Sequence, residues 1–433
     1  MENYKHSVSL DTTKCTGCTT CLKHCPTEAI RIRDGHAVIE TDRCIDCGEC
    51  IRVCPHKAKK AVLDSIADMD RFKYKVALPA PSLYAQFDNL EEIDYVLQGL
   101  LDVGFDKVYE VSRAAELVSA YTRNYLKTEG IQKPAISSAC PAVVRLIELR
   151  FPSLKDNVIQ MLPPMEIAAY LARQEVSKEH PELKAEEVGI CFISPCPAKM
   201  SYVKNGLPNY KSRVDVVVSI SDIYFLLINA MKRGKPPTLN TGSGRIGIGW
   251  ASSGGEATAI LNDNYLAADG IEDVNRVLDE IENGSIPQLE FIELNACTGG
   301  CVGGVLTMQN AFIAKAKLRG LRRYLPVAEN TLSEEENKYI PEHYFFDGFA
   351  NYRPISRLSD NMAESMRMMA DIQKLRAALP GYDCGACGAP TCRAFAEDVV
   401  KGKANIHDCV LKYRDEFKEY LKTMGEVKTD DSE

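Results

Sequence analysis

The sequence of 433 residues is short of several things: it has one tryptophan, seven histidines and fewer basic than acidic residues. The histidines form no H-E-x-x-H pair and no cysteine–histidine zinc pattern, which argues against the common zinc enzymes. A net charge of −8 argues against nucleic acid as a main partner and leaves basic protein partners open. The opening MENYKHSVSLDTTK has no apolar signal-peptide core. The most apolar later stretch, VDVVVSISDIYFLLINAM, carries Asp215 and Asp222 and is too interrupted to span a bilayer. The expectation is a cytoplasmic protein with no membrane partner. Hydrophobic and charged contents of 45% and 26% are those of an ordinary globular chain, long enough for roughly two to four domains.

What is abundant is cysteine, with 17 residues. A chain this long needs no disulfide framework, and the cysteines gather in C-x-x-C units, so metal–sulfur ligation is the better reading. With so few histidines, iron is favoured over zinc. KCTGCTTCLKHCP (14–26) returns as RCIDCGECIRVCP (43–55), an internal repeat. The spacing C-x2-C-x2-C-x3-C-P, twice, is that of two-cluster ferredoxins, in which the cysteine before proline serves the other cluster. Cys15, Cys18, Cys21 and Cys54 are thus assigned to one 4Fe–4S cube, and Cys44, Cys47, Cys50 and Cys25 to a second. A zinc site is the alternative for both, and electron relay the expected role. HAVIE (36–40) alternates like a strand, and HKAKKAVLDSIADMDRFKYK (56–75) reads as a helix or linker.

From about residue 75 the pattern becomes α/β. KVALPAP, DKVYEV, PAISSAC, VGICFISP, DVVVSI and LEFIELNAC read as short buried strands, with amphipathic helices such as EEIDYVLQGLLDVG between many of them. Cysteines stand at three strand ends: Cys140 in SSACP, Cys196 in SPCPAK and Cys297 in NACTGGCVGG, with Cys301 four residues on. Carboxyl ends of strands are where α/β proteins bind ligands. The glycines around Cys297 and Cys301 suggest a bulky group against the backbone. The residues leave two readings open, a further iron–sulfur site or unrelated buried thiols. A helical passage (358–379) leads to a last group, Cys384, Cys387, Cys392 and Cys409, for which a zinc ribbon is the alternative to a 4Fe–4S cube. Here Gly385 and Gly388 are expected to let the backbone close around the cluster. GSGRIG (242–247) completes G-x-G-x-x-G without a strand before it and reads as a structural loop. Cys191 reads as a buried core thiol, and His24, His56 and His407 as contacts to solvent or backbone rather than to iron. EVKTDDSE at the end reads as an acidic tail.

SSACP, SPCPAK and NACTGGCVGG resemble the three signature motifs of the FeFe hydrogenase catalytic domain, TSCCP, MPCxxK and MACxxGCxxGG. The resemblance spans about residues 75–350. It implies an α/β fold: a two-lobed catalytic domain of short buried sheets flanked by helices (63–372). An α+β ferredoxin-like domain (1–62) would precede it, and a small helical 4Fe–4S domain with the tail (373–433) would follow. It implies three accessory 4Fe–4S clusters and an H-cluster. In the latter, Cys140, Cys196, Cys297 and Cys301 hold a cube, and Cys301 bridges to a two-iron unit with CO, cyanide and an amine dithiolate. Lys199 matches the lysine that hydrogen-bonds a cyanide, and Ala80, Pro81 and Ser82 match a stretch lining the two-iron pocket. Met165, Ser194, Pro195 and Asn295 fall in the same lining.

The departures from the family pattern are specific. Ala139 replaces the first cysteine of TSCCP, the thiol that passes protons to the cofactor amine, and alanine can do neither half of that task. Ser194 and Asn295 replace methionines, Met165 stands where many members have glutamine, and Tyr202 stands where an acid is expected. These changes resemble a sensory-type branch of the family. The function implied is hydrogen sensing with slow, reversible hydrogen oxidation. Implied partners are hydrogen and protons, a redox protein such as ferredoxin or a signalling kinase or phosphatase, and maturation proteins. The alternatives are a non-catalytic relative of the iron–sulfur assembly type and an electron-carrier subunit without the two-iron unit.

Overall fold

The computed structural model describes residues 5–207, 210–232, 236–286, 288–338, 340–346, 358–359 and 361–424. The acidic tail lies outside them. The chain forms two compact units: one comprises residues 1–9, 45–48 and 61–352, the other residues 10–44, 49–60 and 353–433.

The first unit is built on two parallel sheets. One has four strands in the order Lys107–Val108, Tyr74–Pro79, Val188–Ser194, Val216–Ser219. The other has three, Tyr265–Asp269, Phe291–Asn295 and Ala135–Ile136. A parallel strand covered on both faces reads as a near-continuous apolar run, and VGICFIS is buried throughout and apolar up to Ser194. Its residues alternate between two cores. Ile190 and Phe192 join Val76, Leu78 and Val217 on one side, while Cys191 and Ile193 join Ala77, Val216 and Val218 on the other. Each fully buried side chain of this size contributes about 1.5–3 kcal/mol. Cys191 is a core thiol, as its apolar surroundings in the sequence suggested.

The helix expected in EEIDYVLQGLLDVG is Asp94–Val103, ended by Gly104 at φ 119°. Two expectations need correction. Residues 56–75 hold no long helix: they give a strand at Lys59–Ala61, a 3-10 helix at Ile66–Arg71, and the start of the strand at Tyr74. The charges that looked helical are spent on local bonds, the Asp68 side chain closing a capping box with Ser65. The edge strand Tyr265–Asp269 was not anticipated, because none of its residues is fully buried. GSGRIG is a loop only in its first half: among the described residues no strand leads into it, its last three residues open the five-residue helix Arg245–Gly249, and the Gly244 N–H donates to Glu116 Oε1 at 2.5 Å.

In the second unit, Ile30–Arg33 pairs with His36–Ile39 through an Asp34–Gly35 turn, both residues at positive φ. The last cysteine group sits beside the helices Cys392–Val400 and Val410–Thr423. Gly388 packs against the hairpin. Its φ is +78°, its carbonyl accepts from Ile32 N at 2.8 Å, and a Cβ there would lie 2.3 Å from Ile32 O. It admits the neighbouring backbone of the hairpin.

Asp398 is the electrostatic centre of this unit. It accepts from Arg31 Nε at 2.7 Å and from Arg33 Nη2 at 2.5 Å, and both Arg31 and Asp398 are 3% exposed. We expect Asp398→Ala to destabilise this unit by about 3–5 kcal/mol, because it strands a buried guanidinium. Denaturant unfolding would show it, and a loss below about 1 kcal/mol, the range of an exposed pair, would contradict the assignment.

Candidate metal centre

Because both sheets are parallel, their strands deliver the following turns to one end. Val188–Ser194 runs directly into Pro195–Cys196, and Tyr74–Pro79 into Ala80, Pro81 and Ser82. From the other sheet, Phe291–Asn295 leads to Cys297, and Ala135–Ile136 through two serines and Ala139 to Cys140. Cys140 and Cys196 each occupy the N-cap of a helix that opens with proline, Pro141–Arg150 and Pro197–Asn205.

Cys140, Cys196, Cys301 and Lys199 come within electrostatic reach of one another. Burial pushes the Cys301 thiol up to about 12, opposed by the charge of Lys199 and reinforced by Cys196 and Cys140. Cys196 is raised in the same way. Lys199 Nζ donates to the Ala139 carbonyl at 3.2 Å. Cys297 opens a turn closed by Gly300 N donating to its carbonyl at 2.9 Å, and Cys301 begins the short 3-10 helix that follows. Two of the glycines here make close approaches to protein backbone. A Cβ on Gly300 would lie 2.4 Å from Ser253 N, and one on Gly304 2.2 Å from Pro195 O, so they bring protein backbones together.

The residues expected to line the two-iron pocket are placed as follows. Ala80 caps the 3-10 helix Pro81–Gln86, and the Ser82 hydroxyl is fully buried with no partner among the described residues. Ser194 Oγ donates to Cys196 O at 2.8 Å and accepts from Cys196 N at 3.2 Å, bracing the turn. Pro195 O accepts from Leu306 N. Met165 is buried in the first turn of Pro164–Glu179. Asn295 Nδ2 donates to Glu293 Oε1 at 2.6 Å. Tyr202 carries a buried hydroxyl without a partner among the described residues, and burial raises it far above its usual range.

Two buried acids were missed in the sequence. Glu256 accepts from Ser137 Oγ at 2.7 and 2.8 Å, and Ser137 Oγ in turn accepts from Ala139 N at 3.1 Å. Burial, and then the neighbouring Glu293, push the Glu256 carboxyl up to about 8. Glu293 is also raised by burial, while the Ala257 and Gly254 N–H groups and Asn295 draw it back. A charged residue inside the apolar strand FIELN was the available signal for Glu293. Glu256 follows SSGG and gave none.

In the second unit, Cys15, Cys18, Cys21 and Cys54 line one cavity, and Cys384, Cys387, Cys392 and Cys409 line another. His56 Nε2 lies 3.0 Å from Thr16 Oγ1, and His407 Nδ1 3.4 Å from Glu416 Oε2.

An α/β unit whose strand ends collect thiols and one lysine, joined in sequence to cysteine repeats, defines an iron–sulfur redox protein. The family profile "Iron only hydrogenase large subunit, C-terminal domain" matches residues 73–262 and 255–305, more than half of the chain, and the chain belongs to that family. A "4Fe-4S dicluster domain" profile matches residues 7–55, and a profile for an Fe-S cluster matches 379–411. The chain is 28% identical over 368 residues to the periplasmic [Fe] hydrogenase large subunit of Nitratidesulfovibrio vulgaris, covering 69% of this chain and 86% of that protein. It is 25% identical to iron hydrogenase 1 of Clostridium pasteurianum, covering 69% of this chain and 64% of that protein. Among solved structures, an [FeFe]-hydrogenase variant from Chlamydomonas reinhardtii superposes with a TM-score of 0.47 at 15% identity, over 60% of this chain and 89% of that one. Among the described residues no helix is long and apolar enough to cross a membrane.

Thiol environments differ enough to be measured in the metal-free chain. Cys18 is exposed and its thiol is lowered, chiefly by the Thr20 hydroxyl, whereas Cys301 is raised to about 12. Alkylation at neutral pH should therefore label Cys18 first and Cys301 among the last, as read by mass spectrometry. Equal labelling rates would contradict this geometry.

Proposed function

We propose that this hydrogenase-family iron–sulfur protein is of the sensory type: it binds hydrogen and exchanges protons and electrons slowly at the site of Cys140, Cys196, Cys297 and Cys301. The donor set fits an H-cluster, with three thiols converging beside a lysine and the orphaned Ser82 hydroxyl buried in the segment expected to line it. When bound, that group supplies the chemistry of heterolytic hydrogen cleavage. Cys301 would serve as the bridging ligand. Lys199 supplies a fixed cation for its anionic ligands, anchored meanwhile on the Ala139 carbonyl. Ala80, Pro81, Ser82, Met165, Ser194, Pro195 and Asn295 would line the two-iron pocket.

The observation that carries the reading is the polar route beside Ala139. Where the family places a proton-passing thiol, Ala139 offers none, but Ser137 connects its backbone to Glu256. A carboxyl held near 8 takes and gives protons at neutral pH, the requirement for a general acid and base. Glu293 stands next in line. Such a route supports proton exchange without the thiol, and a serine-linked carboxyl one step removed from the pocket suits slow turnover and sensing.

Electrons would pass through three accessory cubes on Cys15, Cys18, Cys21 and Cys54, on Cys44, Cys47, Cys50 and Cys25, and on Cys384, Cys387, Cys392 and Cys409. The organisation proposed is a ferredoxin-like module (1–62), a hydrogenase module (63–372) and a C-terminal cluster module (373–433). The partners this reading proposes are maturation proteins and either a redox protein such as ferredoxin or a signalling kinase or phosphatase, in the cytoplasm.

Infrared spectroscopy of the matured protein, under argon and then hydrogen, should show bands of bound CO and cyanide that shift with the gas. Iron–sulfur signals without those bands would instead leave an electron carrier or an assembly-type relative. Glu256→Gln should lower hydrogen turnover about a hundredfold. It should also remove a protonated-carboxyl band that otherwise vanishes as pH rises through about 8. In the metal-free chain the raised value means the folded state holds this proton more tightly. Its contribution to stability is full below the ordinary 4.5 and is lost as pH rises through about 8. The variant should flatten that loss, and an unchanged pH profile of unfolding would count against a buried, protonated Glu256.

A further inference from the structure

Several arginines of this protein are paired with carboxylates: Arg31, Arg43, Arg113 and Arg173 each meet one within 3.1 Å. Four that are gathered at one place are not. Arg245 opens the short helix Arg245–Gly249, Arg319 lies in the last turn of the helix Ala311–Leu321, Arg322 caps that helix, and Arg323 follows. Together they line a cleft of about 490 Å³ whose other walls are Ile246, Gly255, Thr258 and Ala259. No acid lines it, and no carboxylate among the described residues pairs with any of the four.

Cations at a helix C-terminus are favourable, which accounts for Arg319 and Arg322 singly. It accounts neither for Arg245, which arrives from another segment, nor for the position of Arg322. The Arg322 side chain is half-buried, with Nη1 packed so near Gly249 that a Cβ there would lie 2.5 Å away. Burial lowers its affinity for its proton, and Arg319 and Arg245 lower it further. A chain with net charge −8 that gathers four unpaired guanidinia in one concavity bears a local cost in repulsion and desolvation. A multiply charged anion removes that cost.

We propose that this cleft is a binding site for a small molecule carrying two or more phosphate groups. Planar guanidinium forks match phosphate oxygens two at a time, and four of them converge here. The volume falls within the roughly 300–1,000 Å³ of small-molecule sites, enough for a diphosphate with an attached group. The cleft is concave and bounded by backbone at Gly255, which suits a compact ligand better than a broad protein surface. The helix Gly255–Ala259 presents Gly255, Thr258 and Ala259 to the cleft, while the N–H of Ala257 bonds to Glu293. No cysteine lines the cleft, and the site is tested without reference to hydrogen chemistry.

The test is calorimetric titration of inorganic pyrophosphate into the full-length chain as isolated, at about 0.15 M salt to suppress diffuse charge effects. An acidic peptide is titrated in parallel. We expect saturable 1:1 binding of pyrophosphate. The double substitution Arg319→Ala and Arg323→Ala, at two exposed positions, should weaken it about tenfold or more. Arg322→Lys, which keeps the charge and loses the fork, should weaken it measurably, with circular dichroism unchanged in both variants. Absence of pyrophosphate binding, or binding that these substitutions leave untouched, overturns the proposal. So does tighter binding of the acidic peptide lost in the same variants, which would make the patch a protein-docking surface.

Discussion

Parallel pairing in two small sheets is the constraint on which the rest of the first unit depends. A parallel strand ends on the same edge as its neighbour, so whatever follows each strand is gathered without further instruction. Tyr74–Pro79 and Val188–Ser194 bring Ser82 and Cys196 to one such edge, and Phe291–Asn295 with Ala135–Ile136 bring Cys297 and Cys140 to another. The strands can be so short because both faces of the larger sheet are buried. That burial is supplied by apolar residues at consecutive positions rather than at alternate ones.

Charge inside this framework is arranged asymmetrically. Lys199 is the cation that lowers the cost of ionising Cys196 and Cys301, and Glu293 adds to that cost at Cys301. Glu256 and Glu293, both buried, cannot comfortably be ionised together. Their strand-and-loop supports, Asn295 and the Ala257 and Gly254 N–H groups, favour charge on Glu293 and leave the proton to Glu256. The arrangement separates a site prepared to hold metal from a site prepared to hold a proton, with Ser137 and Ala139 between them.

Much of this was legible in the sequence because cysteine spacing and apolar runs are local signals. The doubled C-x2-C-x2-C-x3-C-P, the strand VGICFIS and the thiol turns SSACP and SPCPAK name their own chemistry. What stayed hidden depends on distant partners. Glu256 acquires meaning only when Ser137 and Glu293 are folded against it. Gly388 and Gly300 each admit a backbone far away in sequence, which no local pattern announces. The charged run 56–75 imitated a helix because local capping and edge pairing leave little trace in periodicity.

The pairing of Arg31 and Arg33 with Asp398 joins segments more than three hundred residues apart, within a unit that holds residues from both ends of the chain. A ribosome extends a chain by about 5–20 residues per second, so the arginines wait tens of seconds for their carboxylate. Residues 61–352 need no such delay to complete their two cores. The order of synthesis therefore leaves the hairpin that carries Arg31 and Arg33 without its buried counter-charge until Asp398 has been made.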